Sequence, residues 1–420
     1  MTLKPNNYMP RLIDKKIEDL LQVSGAISIE GPKWCGKTFT SLNHASSVIN
    51  MDDEETRSRF MLNPELVLNE SKPELIDEWT REPTVWDKIR RKCDVLETKG
   101  NYILSCSTSL LDENKIFHSG AGRISRLKMN TMSLFESNDS SGDISIMDMY
   151  EGREIVKTVR KISLEDLANL IIRGGWPANI NVAKDKCGLM PKYYINSILE
   201  KDIYESKNVD SVKMQKLLKS LARNESTVVS NNKLIKDISD NDDLNIDKRT
   251  VSDYIEILEK LNLFSNQLSY STNYRSPERV GKNVKRHFTD PSLAAALLNM
   301  NANKLIADLK TFGFLFEALV ERDLKIYMDY LDGNLYHFRD NVTGLEVDSI
   351  LEFSDGEYAA VEIKLGFNQF KEACESLLKF QDNVTKKPKF MCVICGYNEN
   401  IVKDPETGIY IVPITALKPE

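Results

Sequence analysis

The octapeptide Gly31-Pro-Lys-Trp-Cys-Gly-Lys-Thr38 constrains this chain more than any other stretch, because it matches the spacing G-x-x-x-x-G-K-[ST]. That spacing works in one setting: a buried strand delivers the chain to the loop and a helix carries it away. The two glycines let the loop curl until successive backbone N–H groups face inward, and the helix adds the positive end of its dipole. Gly25 to Glu30, with Ala26, Ile27 and Ile29, supplies the apolar strand, and Thr38 to Val48 is compatible with the helix. The motif predicts an α/β fold with a parallel sheet of the P-loop NTPase type, with ATP as ligand and Mg²⁺ as its metal. Gly31, Pro32, Lys33, Trp34, Cys35, Gly36, Lys37 and Thr38 form the expected phosphate cradle. Lys37 offers a mobile ammonium to the β- and γ-phosphates, and the Thr38 hydroxyl is a Mg²⁺ ligand.

An acidic partner follows. Leu75-Ile76 is a short apolar pair closed by Asp77-Glu78, as when a neighbouring strand carries acids to the loop. In that arrangement Asp77 holds Mg²⁺, usually through water, and Glu78 polarises the attacking water as general base. Pro73 and Glu74 make the strand less apolar than most. The competing reading is two solvated acids opening a helix that carries Trp79 and Trp86. Tyr102-Ile-Leu104 is a further short strand, and Ser105 and Ser107 after it are candidates for a hydroxyl near the γ-phosphate, or for a polar surface turn. Arg123 and Arg126 follow a loop containing His118. Arg123 is a candidate for reaching the triphosphate of a neighbouring subunit in a homo-oligomer, against the alternative of an ordinary surface arginine.

A length of 420 residues points to two or three domains. With 41% hydrophobic and 28% charged residues the composition is that of a globular protein, and a net charge of −7 argues against a general basic coat. Any contact with DNA or another nucleic acid must come from a local patch. The N-terminus has no apolar core of a signal peptide, and no apolar run approaches the roughly 18 residues of a membrane span, so no membrane partner and a cytoplasmic address are expected. The seven cysteines suit reduced thiols. Cys392-Val-Ile-Cys395 lies inside the apolar run Phe390 to Cys395 and reads as a buried strand in preference to a redox or zinc motif.

Beyond residue 160 the texture turns helical, in Leu164 to Ile172, Lys213 to Arg223 and Thr250 to Leu263. Lys248 and Arg249 would open the last of these helices, as in a helix that enters a major groove, although Asp253, Glu256 and Glu259 on it would repel phosphate. Glu346 to Phe353 and Tyr358 to Leu365 then read as a hairpin about Ser354-Asp-Gly356, followed by a helix over Gln369 to Gln381. Across the hairpin Asp348, Glu362 and Lys364 form D-x13-E-x-K. The period of two puts Glu362 and Lys364 on one face, where the Asp348 and Glu362 carboxylates would bind a divalent metal and the lysine would position water. Glu317, on an upstream helix, and Gln369 are candidates to join them. A solvated Glu/Lys strand face is the bland alternative.

Taken together, Gly31 to Thr38, Leu75-Ile-Asp-Glu-Trp79, His118-Ser-Gly-Ala-Gly-Arg123, Arg173-Gly-Gly-Trp-Pro177, His287-Phe-Thr-Asp-Pro-Ser-Leu293 and Gly344-Leu-Glu-Val-Asp348 resemble prokaryotic AAA-type ATPases that end in the domain of unknown function DUF4143. The resemblance spans nearly the whole chain. It implies an AAA-like ATPase core with a helical lid over residues 1–205, a winged-helix segment over 206–300 and a domain like the PD-(D/E)xK nucleases over 301–420. One departure is visible: where that family usually reads Leu-Thr-Gly-Ser, this chain has Leu104-Ser-Cys-Ser107. Two functions follow as expectations. Either ATP hydrolysis drives action on nucleic acid through the C-terminal domain, or nucleotide controls a non-catalytic domain that docks a protein or nucleic-acid partner.

Overall fold

A computed structural model describes residues 2–96, 98–106, 119–203, 209–239, 246–271, 273, 275, 284–340 and 343–420. The chain forms two compact units, Met1–Thr131 with Ile257–Leu263, and Met132–Glu256 with Phe264–Glu420.

The first unit alternates helices and short strands: α1 (Ile13–Val23), β1 (Ala26–Glu30), α2 (Lys37–His44), β2 (Ser47–Asn50), α3 (Glu54–Leu62), β3 (Glu74–Asp77), α4 (Thr84–Val95), β4 (Tyr102–Cys106) and β5 (Ile124–Lys128). The sheet order is β2-β3-β4-β1-β5, and every pairing is parallel. Parallel neighbours need crossovers, which is why each strand is separated from the next by a helix or long loop. Alternate residues of the inner strands enter opposite cores. Ile76, Tyr102 and Leu104 pack with Trp79, Trp86 and Ile89, whereas Leu75 and Ile103 pack with Ile17, Ile27 and Ile29. Burial on both faces explains how β3, four residues with an acid at each end, can lie inside the sheet.

Two local expectations are corrected. The helix after the loop stops at His44, because Ala45 is already extended (φ −93°, ψ 147°), and Val48 belongs to edge strand β2. Half-exposed alternation in Ser47-Val-Ile-Asn50 left little apolar signal to separate strand from helix. Trp79 and Trp86 also do not share a helix: Trp79 begins a short 3₁₀ turn and Trp86 lies in α4, while Asp77 ends β3.

The second unit contains β6 (Ile144–Ser145), α5 (Ile146–Tyr150), β7 (Val156–Thr158), α6 (Leu164–Arg173), α7 (Leu189–Ser197), α8 (Ser211–Arg223), β8 (Thr227–Val228) and α9 (Asn231–Ser239). Next come α10 (Lys248–Lys260), which runs across the division, β9 (Phe264–Gln267), β10 (Lys285–Phe288), α11 (Pro291–Leu297), α12 (Ala302–Ala307) and α13 (Leu309–Tyr330). The chain ends in β11 (Asn334–Arg339), β12 (Glu346–Glu352), β13 (Tyr358–Lys364), α14 (Phe370–Asn383), β14 (Phe390–Cys395), β15 (Asn400–Lys403), β16 (Tyr410–Pro413) and β17 (Leu417–Lys418). β8, β10 and β9 form a small antiparallel sheet in that order. The large sheet is β11-β12-β13-β14-β16-β15-β7, antiparallel at its edges and parallel from β13 through β16. Ala373, Leu377 and Phe380 of α14 close over Ile350, Tyr358, Ala360 and Val393 on one face.

The division at 131/132 lies well before the boundary expected near 205, and residues 264–420 stay together across the one expected near 300. β7 extends the edge of the large sheet beside β15 and β6 pairs with β17, so residues that follow the first sheet in sequence are built into the C-terminal architecture. Such long-range pairing leaves no local trace in sequence. β14 buries Cys392 and Cys395, and burial pushes both thiols up, as suits a strand interior. Among the described residues no group of three or more His, Cys, Asp or Glu side chains is arranged to hold a metal ion, and no helix is long and apolar enough to cross a membrane.

Candidate functional site

β1 ends at Glu30 and the chain turns into the loop that opens α2. Gly36, at the helix N-cap, has φ 105°, a value open to glycine at little cost. Gly31 passes so close to β5's exit that a Cβ there would lie 2.2 Å from the Met129 carbonyl oxygen. These two glycines are the ones the motif requires, and each has its own steric reason. Between them Trp34 adopts φ 65° and is half exposed.

Lys37, buried in the loop, donates from Nζ to the carbonyl oxygens of Gly31 at 2.9 Å and Pro32 at 2.7 Å. Thr38 Oγ1 donates to Asp77 Oδ2 at 3.1 Å, and Ser105 Oγ donates to Asp77 Oδ1. Sheet register makes this meeting possible: Asp77 on β3 is level with Ser105 on β4, at the strand ends that face the loop. A hydroxyl and a carboxylate side by side at a helix N-terminus are hard oxygen donors of the kind Mg²⁺ takes, so Thr38 and Asp77 fit that ion. Glu78 follows in the left-handed region (φ 51°), half buried, a conformation that costs a non-glycine residue of order 1 kcal/mol and recurs at functional sites. Cys106 continues β4 opposite Glu30 without a break, and burial pushes its thiol up to about 12.

Lys37, Thr38, Asp77 and Ser105 are thus brought together. Arg123 is not. It precedes Ile124, which is level with Ala26, at the opposite end of the strands from the loop. There it is half exposed and bonds Asp94 Oδ1 at 2.7 Å. It therefore does not reach the loop of its own chain, and the Asp94 pair is what an ordinary surface arginine makes. Arg126 lies over the Trp86 ring at 5.1 Å and approaches Glu30 at 3.8 Å. Ser107 and His118 lie outside the described residues.

Sequence reading missed Arg11. Its buried guanidinium donates to the carbonyl oxygens of Cys35 at 2.8 Å, Asn130 at 2.9 Å and Thr131 at 3.1 Å, tying the loop to the chain leaving β5. Beside it Asp14 accepts from the Tyr8 hydroxyl at 2.6 Å and meets His44 Nε2 at 2.8 Å, which fastens the N-terminal segment to the end of α2. Nothing in the local pattern around Arg11 marks it, because the carbonyls its guanidinium clamps are distant in sequence.

In the second unit Asp348, Glu362 and Lys364 converge as expected. The Asp348 carboxylate accepts from the Ile363 N–H at 2.7 Å and from Lys364 Nζ at 3.1 Å, and Lys364 reaches Glu362 Oε2 at 2.6 Å. Ser376 of α14 donates to the other Glu362 oxygen at 3.2 Å. Glu317 joins the cluster through a residue that sequence reading did not single out: Lys285 of β10 pairs with Glu317, with Glu321 at 2.6 Å and with the Asp348 carbonyl oxygen at 3.3 Å. Burial pushes Glu317 up to about 7 and Glu321 and Glu362 up to about 8. Burial acts upward on Asp348 too, but Lys364, Lys285 and the Ile363 N–H outweigh it and hold the group below its ordinary value. The Asp348 and Glu362 carboxylates, expected to share a metal, lie together with the Lys364 ammonium between them, and Lys285 reaches Asp348 through its backbone carbonyl. Gln369 is exposed at the N-cap of α14.

Two other sequence motifs lock to each other. Gly175 N–H donates to Asp290 at 2.9 Å, Trp176 Nε1 to Ser292 at 2.9 Å, and Arg322 pairs with Asp290 at 3.1 Å. Their work is architectural. Lys248 and Arg249 are exposed at the start of α10, whose first turn Asp247 caps through the Thr250 N–H at 2.7 Å.

Comparison with known families matches residues 24–138 to an AAA domain, 164–304 to a domain of unknown function, DUF8612, and 312–417 to a domain of unknown function, DUF4143. No curated protein matches significantly. Among solved structures, a Walker-type ATPase of Pyrococcus abyssi is similar at 13% identity and a TM-score of 0.45, over 71% of this chain and 98% of that one. A signal-transduction ATPase with a tetratricopeptide-repeat sensor from Pyrococcus horikoshii is similar at 12% identity and a TM-score of 0.26, over 79% of this chain and 54% of that one. The loop, the five-stranded parallel sheet and the two matched domains agree: this chain is a P-loop protein that joins an AAA domain to a C-terminal DUF4143 domain.

Proposed function

We propose that this protein is an ATPase in which nucleotide turnover controls a non-catalytic C-terminal binding module. The observation that carries the ATPase reading is the meeting of Thr38, Asp77 and Ser105 beneath a loop lined by Lys37. In this reading ATP binds with its phosphates against the loop N–H groups and Lys37, and Thr38 and Asp77 would hold Mg²⁺, which would supply neutralising charge to the phosphates. Glu78 takes the proton of the attacking water, and Ser105 holds Asp77 in place from β4. Arg123 acts on a second copy. Phosphate release assayed with and without DNA tests the coupling: a switch binds nucleotide, turns it over slowly and responds little to DNA.

The lysines paired with the C-terminal carboxylates, Lys364 with Asp348 and Glu362 and Lys285 with Glu317 and Glu321, support the docking reading over cleavage on a sheet of nuclease-like order. Its order of an antiparallel hairpin followed by parallel strands, with Asp348, Glu362 and Lys364 at one end, is like that of the PD-(D/E)xK nucleases. The upstream α8-β8-α9-α10-β9-β10 sequence, with sheet order β8-β10-β9, resembles a winged helix and supports that reading of the segment. Lys248 and Arg249 at the α10 N-terminus give it a local cationic edge suited to a nucleic-acid backbone. A protein partner is the other occupant open to such a module.

A further inference from the structure

We infer that Lys285 is the resident cation of the C-terminal carboxylate site and shuts divalent metal out of it. The inference rests on the non-catalytic reading of that domain and supplies its cause. The partners of the Lys285 ammonium are the Glu317 and Glu321 carboxylates and the Asp348 backbone carbonyl, the same oxygen types that a hard divalent ion gathers. Lys364 fills the second gap, at 3.1 Å from Asp348 and 2.6 Å from Glu362. An ammonium and a Mg²⁺ ion cannot share these oxygens closely, since two cations would then sit a few ångströms apart in a poorly screened interior. A buried lysine is itself costly unless fully paired, so Lys285 and the carboxylates hold each other in place.

Lys285 does not come from the sheet that carries the carboxylates. It is the first residue of β10, and that strand is fixed by its own bonds: the ladder to β9, Arg286 Nη2 to Asn231 at 2.7 Å, and His287 Nδ1 against Glu225 at 3.1 Å. Metal access to the C-terminal site is therefore set by the seating of β10. The small sheet β8-β10-β9 is a lock on the large one, within the same unit.

The test uses the full chain, without nucleotide, and Mn²⁺ alone as the probe, followed by calorimetry and by the spin signal of the bound ion. In the wild type, Asp348→Asn should leave Mn²⁺ binding unchanged. Lys285→Gln should gain one Mn²⁺ site at least about tenfold tighter than any in the wild type, and adding Glu317→Gln, which takes away a carboxylate that Lys285 occupies, should remove it. If Lys285→Gln alone fails to fold, Lys285→Gln with Glu321→Gln removes one charge of each sign and keeps the Glu317 carboxylate and the Asp348 backbone carbonyl as donors. A wild-type Mn²⁺ site lost in Asp348→Asn would overturn the inference, as would a folded Lys285 variant with no new site. Supercoiled DNA incubated alongside separates the two readings. Nicking by the wild type that Asp348→Asn abolishes contradicts the docking module itself, whereas Mn²⁺ binding without nicking contradicts only the role of Lys285.

Discussion

Glu78 and Asp77 are adjacent acids with different surroundings, and a substitution can separate their roles. Asp77 is held by Thr38 and Ser105, whereas Glu78 leaves the strand in a left-handed turn. Glu78→Gln keeps the size of the side chain and the Thr38–Asp77 pair but removes the proton acceptor. Nucleotide affinity should stay within a few-fold of the wild type while hydrolysis slows by roughly 10²- to 10⁴-fold, read by phosphate release under single-turnover conditions. Hydrolysis at the wild-type rate would move the base elsewhere. At this scale the sequence was legible wherever chemistry lies in a contiguous motif: Gly31 to Thr38, Asp77 and Glu362-Ile-Lys364 are where they were expected. Arg11 and Lys285 were not legible, because an ion pair or carbonyl clamp between residues far apart in sequence leaves no spacing to detect.

Elements bring those residues together, and the loop depends on one that precedes it. Arg11 joins the Cys35 carbonyl to Asn130 and Thr131, so it holds the loop and the end of β5 as one piece. Arg11→Met keeps much of the apolar stem but leaves buried carbonyls without donors. The first unit should lose about 2–4 kcal/mol in chemical denaturation, with nucleotide affinity falling alongside. An unchanged midpoint would mean that the clamp is redundant. Strands β1, β3 and β4 were readable from runs as short as two apolar residues because strong motifs fixed their ends. Edge strand β2 was read as helix, since Ser47 to Asn50 buries only alternate side chains partway.

At the scale of the whole molecule, two predictions concern charge. If Arg123 completes the site of a second copy, ATPase activity per chain should rise with protein concentration, and Arg123→Ala should flatten the rise; activity independent of concentration in a species that stays monomeric with ATP would remove that role. The second concerns pH. Burial raises Glu317 to about 7 and Glu321 to about 8, so the folded state binds protons that the unfolded chain has released, and stability falls as pH climbs through that range. His287, lowered well below 6.5 by burial, works the other way, but only below that pH. Between pH 6.5 and 8 the thermal midpoint of the second unit should therefore fall, and Glu321→Gln should flatten the slope.

The compact units follow pairings that sequence does not announce, whereas the matched families, 164–304 and 312–417, meet close to the boundary expected near 300. Nothing in residues 132–205 announces that β7 will join a sheet completed by residue 413, because pairing partners are chosen by the fold and not by neighbours in sequence. What does not depend on that division is the central claim, that the first unit binds a nucleoside triphosphate through Lys37. Titration of a fluorescent ATP analogue with Mg²⁺ into the wild type and Lys37→Ala tests it directly. Loss of Lys37 removes charge-assisted bonds to phosphate, so affinity should fall roughly 10- to 100-fold while the melting profile stays close to that of the wild type. Equal affinity in the two proteins would contradict the account.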